Sequence, residues 1–431
     1  MNAKLQKISL NEVPEPAKTT PITHEVDVVV CGGGPAGVAA ALAAARNGAK
    51  TLLIELQGCL GGVWTSGMLS WIIDAKNKTG IISEILERLE KTGGRAHRQD
   101  GEPTNGYSTE LMKLVLEQLC LEAGVEIRLH SRVVGGFFAQ NDRQLTHILT
   151  ESPSGREAVA AKVFIDATGN GDLAARSGCG FDLGHPESGL TQPMSLMALL
   201  GGLDLQAMQP YMSGIGHKDP EPKLRIKADL EKAGIEPSYS RPTIFGLPDG
   251  LFAFMANHQY GANATDADSM SQHTFEARQE IHSMVNGLRK LGGIWKDVVL
   301  VATAAHIGVR ESRRIHGRYT VSAEDLKHGA RFDDAVCRVT FCVDIHSLKK
   351  SEGGGYGGAN FSSQPYDIPY RALVAKDVDG LLLAGRCISG DFFAHASYRV
   401  TGNAVTMGEA SGKAAAKCVA KGCLPHELIG G

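Results

Sequence analysis

The residues Gly32-Gly33-Gly34-Pro35-Ala36-Gly37 follow an apolar run and open an Ala-rich stretch. This G-x-G-x-x-G spacing can hold a dinucleotide pyrophosphate against backbone N–H groups. Gly32 permits a tight turn, Gly34 keeps side-chain atoms out of the ligand's path, and Gly37 lets helix and strand pack closely. The helix start supplies oriented N–H groups and partial positive charge, with Pro35 and Ala36 in its first turn. Glu55, 23 residues after Gly32, ends the next predicted strand. A carboxylate there accepts the ribose hydroxyls and repels a 2′-phosphate. Gly353, Gly355 and Gly358 repeat the spacing, but they follow Lys349-Lys350-Ser351-Glu352 and run into Asn360-Phe361-Ser362, with neither strand before nor helix after. That stretch reads as a loop, so the chain holds one nucleotide cofactor and no second unit for NAD(P)H.

A second set is cationic. His395 and Arg399 precede a predicted helix, Thr401 to Ala420, and Arg310, Arg313 and Arg314 come earlier in the chain. A histidine near neutrality serves as general acid or base, and arginine clamps a carboxylate or polarises a carbonyl. The candidates for catalysis are His395, Arg399 and Arg310, against the plainer readings of a domain-interface arginine cluster and a structural histidine. His306, His316 and His346 lack metal-ligand spacing, and the nine cysteines stand singly with no CxxC pair, so no metal, cluster or disulfide site is expected.

These residues need a scaffold. The strand Val26–Cys31, the helix Pro35 to Arg46 with its Asn47-Gly48 stop, and the strand Thr51–Ile54 form one βαβ unit. Helices are predicted at 81–91 and at 109–122, the second capped by Ser108 and stopped by Gly124. A strand at Val125–Leu129 leads to a meander with turns at Asn141-Asp142 and Ser152–Gly155, then to a strand at Lys162–Ile165 ending in Asp166-Ala167-Thr168-Gly169. Residues 180 to about 365 differ in texture, with more proline, scattered histidines and a predicted helix near 271–291. Gly380–Ala384 reads as a strand returning to the first unit. Ala404, Gly408, Gly412 and Ala416 form a small-residue stripe suited to close helix packing.

The ordered set of motifs resembles the FAD-dependent oxidoreductases with a glutathione-reductase-like fold, in particular the single-FAD-domain branch related to the flavin subunit of heterodisulfide reductase. It comprises Gly32–Gly37 with Glu55, Leu60-Gly61-Gly62, Phe164 to Ala174, Ile307 to Arg314, Gly380 to Ser389 and His395 to Gly402, and spans nearly the whole chain. The resemblance implies an α/β fold: a Rossmann-type FAD-binding domain, parallel sheet plus β-meander, with an inserted α+β substrate domain. The expected organisation is an N-terminal arm over 1–24, the FAD-binding domain over 25–180 with a helical insertion at about 64–124, the substrate domain over 181–365, and the rest of the FAD-binding domain over 366–431. It further implies FAD contacts from Gly61 and Gly62, backbone of Arg132-Val133 bracketing the adenine, Ala167, Thr168 and Gly169 near the pyrophosphate, Gly385 beside the ribityl, and Thr401, Gly402 and Asn403 facing the flavin pyrimidine ring. Two departures stand out. The redox cysteines of dithiol reductases are replaced by Trp64 and Leu69, and their acidic residue by Arg386, which instead can face phosphate or substrate.

Composition agrees with an enzyme. The 431 residues carry 44 Lys+Arg against 47 Asp+Glu, a net charge of −3, and offer no broad basic surface for nucleic acid. No run of 18 apolar residues and no signal-type start is present, so a cytoplasmic protein without membrane attachment is expected, with a small-molecule substrate and with homo-oligomerisation left open. The leading reading is hydride transfer between a small polar or anionic substrate and flavin N5. Alternatives are a flavin-dependent monooxygenase, an electron-transfer subunit of the heterodisulfide-reductase kind, which the absence of cysteine clusters disfavours, and a flavin-binding scaffold.

Overall fold

The computed structural model describes residues 17–76, 78–139, 143–213, 219–353 and 359–430. Most of the expected arm, the Asn141-Asp142 turn and the Gly353–Gly358 loop beyond Gly353 lie outside them. Five parallel strands form the central sheet, in the order Leu381–Leu383, Val163–Asp166, Val28–Cys31, Thr51–Ile54, Glu126–Arg128. Four of the five are buried along their whole length, the condition that makes such strands read as unbroken apolar runs. A four-stranded meander adjoins it: Ile22–Glu25, Gly155–Ala160, Leu145–Ser152 and Arg132–Phe138. The expected α/β class is therefore found.

The first helix, Pro35–Arg46, and the last, Thr401–Lys421, pack together on one face of the sheet. A Cβ at Gly408 or Gly412 would overlap the carbonyl oxygen of Ala36 or Ala40. The small-residue stripe is thus a backbone-to-backbone helix contact. Between 64 and 124 the chain contributes helices Ile81–Lys91 and Thr109–Glu122, the second capped by the Ser108 hydroxyl, together with a hairpin of Arg95–His97 and Pro103–Tyr107 that the sequence did not announce.

A separate core, drawn from Met194 to Val309, fills the space between an antiparallel sheet and the helix Ala267–Leu291. That sheet has the order Thr243–Gly246, Phe252–Met255, Ala198–Gly201, Val299–Thr303. The strand pair Ala335–Val339 and Tyr366–Pro369 adds Cys337, Val339, Tyr366 and Ile368 to the core on the other face of the parallel sheet. No helix among the described residues is long and apolar enough to cross a membrane.

Candidate functional site

The ends of three parallel strands meet beside the first helix. Ala167 N–H donates to Cys31 O and Ala384 N–H to Asp166 O, which locks the strand ends together. Gly32 has φ +99°, and a Cβ there would lie 2.5 Å from Ala167 O. A Cβ at Gly37 would overlap Gly32 O. Gly34 differs from both, because a Cβ on it would meet nothing within 4 Å. It is the N-cap of the first helix, and no side chain caps that helix. An open space against an uncapped helix N-terminus is the seat a pyrophosphate requires.

Glu55 borders the same space. Its carboxylate accepts from Gly33 N at 2.5 Å and Gln57 N at 2.7 Å, fixing its orientation. Burial pushes its pKa up, opposed by the hydrogen bonds from Gln57, Gly33 and Leu56. Gly61 N–H donates to Gly33 O at 2.8 Å, and Gly62 runs so close that a Cβ on it would be 3.0 Å from Gly34 Cα. Ser131 N–H donates to Glu55 O, setting the start of the Arg132-Val133 strand next to the acid; Arg132 itself is exposed and Val133 buried. Asp166, fully buried, accepts from the Thr168 amide and hydroxyl and from Ala174 N, and so shapes the Ala167–Gly169 turn. The glycines, the orienting acid and the free helix start together fit FAD.

Three expected contacts are placed differently. Arg386 donates from Nε to Gly169 O at 2.9 Å, from Nη2 to Asn170 Oδ1 at 2.7 Å and from Nη1 to Val309 O, so it ties the strand-end turn to the second unit instead of presenting a free guanidinium to phosphate. Gly402 donates its N–H to Ile73 O at 2.8 Å, and its missing Cβ makes room for the Ile73-Asp74 backbone. Asn403 is fully buried, its Oδ1 facing the Cys337 thiol. Thr401 accepts from Ile73 N, and Gly385, at φ +80°, packs against Ala36.

His395 also departs from expectation. Its ring is fully buried in the short helix Phe392–Tyr398, and neither nitrogen has a partner at hydrogen-bonding geometry. Burial, with Arg314, Arg399 and Arg386 nearby, drives its pKa well below the usual histidine range, the Arg386 backbone only partly opposing this.

Arg310 and Arg399 do come together, around Asp344. Arg399 donates from Nη2 to Asp344 O at 3.0 Å and Oδ2 at 3.1 Å. Arg310 is anchored through Nη1 to Pro193 O at 2.6 Å and Ser195 Oγ at 2.9 Å; Ser195 Oγ in turn donates to Asn257 O. Burial, reinforced by Arg399, lowers the Arg310 pKa to about 10, so the group stays charged. Asp344 is held well below the usual carboxylate range: His346, Arg399 and Arg310 overcome the upward push of burial.

Sequence reasoning missed His258, Tyr239 and Asp344 and considered His346 only as a metal ligand. Asp344 and His346, two residues apart, meet with Nε2 3.4 Å from Oδ2, and that i, i+2 spacing was the available signal. The Asn257 side chain pairs with both backbone groups of Leu196 and so fixes the turn that carries His258. No group of three metal-ligating side chains occurs among the described residues.

The chain is similar to thiamine thiazole synthase of Methanococcus vannielii, 31% identical over 162 residues, which are 34% of this chain and 57% of that protein. It is similar to soluble pyridine nucleotide transhydrogenase of Chromohalobacter salexigens, 30% identical over 34% of this chain and 31% of the other. The chain thus spans between 31% and 57% of the length of these relatives. Among solved structures, p-nitrophenol 4-monooxygenase from Pseudomonas putida DLL-E4 is 12% identical, with a TM-score of 0.49 over 93% of this chain and 82% of that one. The myxobacterial chondrochloren halogenase is 13% identical, with a TM-score of 0.49 over 94% and 78%. The model of the FAD dependent oxidoreductase family matches residues 27–430, and the chain belongs to that family as an FAD-dependent enzyme.

Proposed function

We propose that the enzyme transfers a hydride between a small polar or anionic molecule and flavin N5, with Arg310 and Arg399 holding that molecule. The finer fold reading, a glutathione-reductase-like domain of the branch related to the heterodisulfide reductase flavin subunit, is supported by the sheet order and by the motif order along the chain. Bound FAD supplies a two-electron hydride acceptor and donor. Gly32–Gly34, the start of the first helix, Glu55, Gly61, Gly62 and Ala167–Gly169 would hold it.

One observation carries the substrate reading. Arg399, two residues before the closing helix, and Arg310, from the other unit, converge on one carboxylate, Asp344, leaving a surplus of positive charge where the two units meet. These groups bind and orient; Arg386 holds the junction shut against the strand-end turn. The test is anaerobic: the purified enzyme is mixed with panels of small organic acids, alcohols and amines, and the flavin absorbance near about 450 nm is followed. Bleaching by a small polar compound is expected. Flavin that is reduced only by NAD(P)H, with substrate consumed only once oxygen is admitted, would replace this reading by the monooxygenase.

A further inference from the structure

From the hydrogen bonds left unmade around Arg310 and Arg399, we infer that this site binds a small 2-hydroxy carboxylate, its carboxylate on the two guanidinium groups and its hydroxyl on His346. The inference rests on the proposal that the substrate meets the FAD-binding half of the chain here, and it names the class of that substrate.

The donors come first. Arg310 uses Nη1 on Pro193 and Ser195, and its Nε and Nη2 have no partner among the described residues. Arg399 uses Nη2 on Asp344, while its Nε is buried and unpartnered. A buried N–H left unmade, as at Arg399 Nε, is costly unless an anion completes it, and a planar carboxylate is the matching acceptor. Asp344 faces both arginines, and Glu311, bonded to Arg314, also lies in the field of Arg399.

The acceptors define the rest. His346 is 6% exposed, with Nε2 3.4 Å from Asp344 Oδ2 and Nδ1 buried without a partner. Because Asp344 is ionised, the proton belongs on Nε2 and Nδ1 is left as a bare acceptor. His258 repeats the pattern. Its Nδ1 lies 3.2 Å from the Tyr260 hydroxyl, which itself donates to Ser238 O, so His258 Nδ1 carries the proton and its buried, unpartnered Nε2 is a second acceptor. The two rings stand 4.8 Å apart at 78°, with Tyr239 stacked 4.1 Å from His258. Unpartnered donors for an anion beside unpartnered acceptors for an O–H describe a hydroxy acid. An amino acid would bring an ammonium group into an environment already in cationic excess, which disfavours it.

Occupancy changes the proton affinity of the site. His346 faces Asp344, Arg399, Arg310, His258 and Tyr239. In the free site burial and Arg310 lower its pKa to about 4, outweighing Asp344. A carboxylate on the arginines offsets their repulsion of an imidazolium, so binding raises the affinity of His346 for a proton; that proton goes onto Nδ1, which then donates to the ligand hydroxyl instead of accepting from it.

The experiment is calorimetric titration of the FAD-loaded enzyme with glycolate, glycolamide and glycine at pH about 5.5, in two buffers of different ionisation enthalpy. Glycolate is expected to bind at least about tenfold tighter than either neutral glycolamide or zwitterionic glycine, with net proton uptake. Arg310→Gln should weaken glycolate binding about 10- to 100-fold, Arg310→Lys less, and both should retain the flavin spectrum as the sign of an intact fold. His346→Gln should abolish proton uptake. Equal affinity for glycolate and glycolamide, or unchanged affinity in Arg310→Gln, overturns the carboxylate site, and proton uptake persisting in His346→Gln overturns the histidine. Anaerobic bleaching by a compound without a carboxylate would leave the oxidoreductase reading standing while sinking this one.

Discussion

The glycines of the first turn make opposite predictions, and a pair of alanine substitutions separates them. At Gly34 the added methyl meets nothing within 4 Å, and the backbone, φ −70° and ψ −174°, is one that alanine adopts without strain. Alanine is a slightly poorer N-cap than glycine but restricts the unfolded chain, so the change in stability of the FAD-free protein should stay within about 1 kcal/mol. The methyl occupies the pyrophosphate seat, and loss of one charge-assisted N–H contact costs about 2–3 kcal/mol, or roughly 30- to 150-fold in FAD affinity. At Gly37 the methyl would overlap the Gly32 carbonyl oxygen, which only movement of the turn can relieve. Gly37→Ala should destabilise the FAD-free fold by about 3 kcal/mol or more. The assays are urea denaturation of the FAD-stripped proteins and titration of each with FAD by flavin fluorescence. Wild-type FAD affinity in Gly34→Ala would refute the assignment of that open space to the pyrophosphate; a large loss of stability there would refute the reading of the space as open.

Three further outcomes follow from the same geometry. Glu55→Gln puts an amide NH₂ against one of the two N–H donors now satisfied at 2.5 and 2.7 Å; it should cost about 1–3 kcal/mol and lower FAD affinity about tenfold, measured by denaturation and FAD titration. Gly408→Ala, whose methyl would overlap Ala36 O, should lower stability by about 3 kcal/mol or more, and a thermal midpoint equal to wild type would contradict the tight helix pair. His258, His346 and His395 are buried with lowered pKa, so the unfolded chain takes up their protons first as pH falls. Their contribution is whole above about pH 6.5 and is lost below it at about 1.4 kcal/mol per pH unit per histidine, with His346 levelling off near its value of about 4; urea midpoints at pH 7 and 5 report the slope.

What could be read from the sequence was whatever depends on neighbours in the chain. Gly32, Gly34, Gly37 and Glu55 lie within one βαβ unit, where the spacing of turn, helix and strand dictates their relative positions. The stripe from Ala404 to Ala416 announced a close helix contact because only backbone proximity calls for glycine at that period. The cationic site depends on distant segments. Pro193, Ser195, Asn257, Arg310 and Asp344 converge through antiparallel pairing and isolated bridges such as Ser195 with Gly308, and no local pattern encodes that convergence. His395 was chosen for its type and its place before the closing helix. Burial was the deciding variable, and the six residues around it in Phe392–Tyr398, all but Phe393 buried, carry the signal of an inward-facing helix.

Arg386 shows how charge and fold constrain each other at this junction. All its acceptors are neutral carbonyl oxygens, from Gly169, Asn170 and Val309, and burial lowers its pKa to about 10 without discharging it. A half-buried cation hydrogen-bonded only to neutral oxygens holds its place where the backbone is rigid enough to keep three oxygens converged on it. The locked strand ends supply that rigidity on one side, and the Val309-Arg310 segment supplies it on the other. Arg386 therefore fixes the chain next to Arg310, and its charge acts on the buried His395. Neutralising it as Arg386→Gln should lose both effects at once. Because the long-range charge effect is screened and the tether is not, raising ionic strength should leave most of the defect in place.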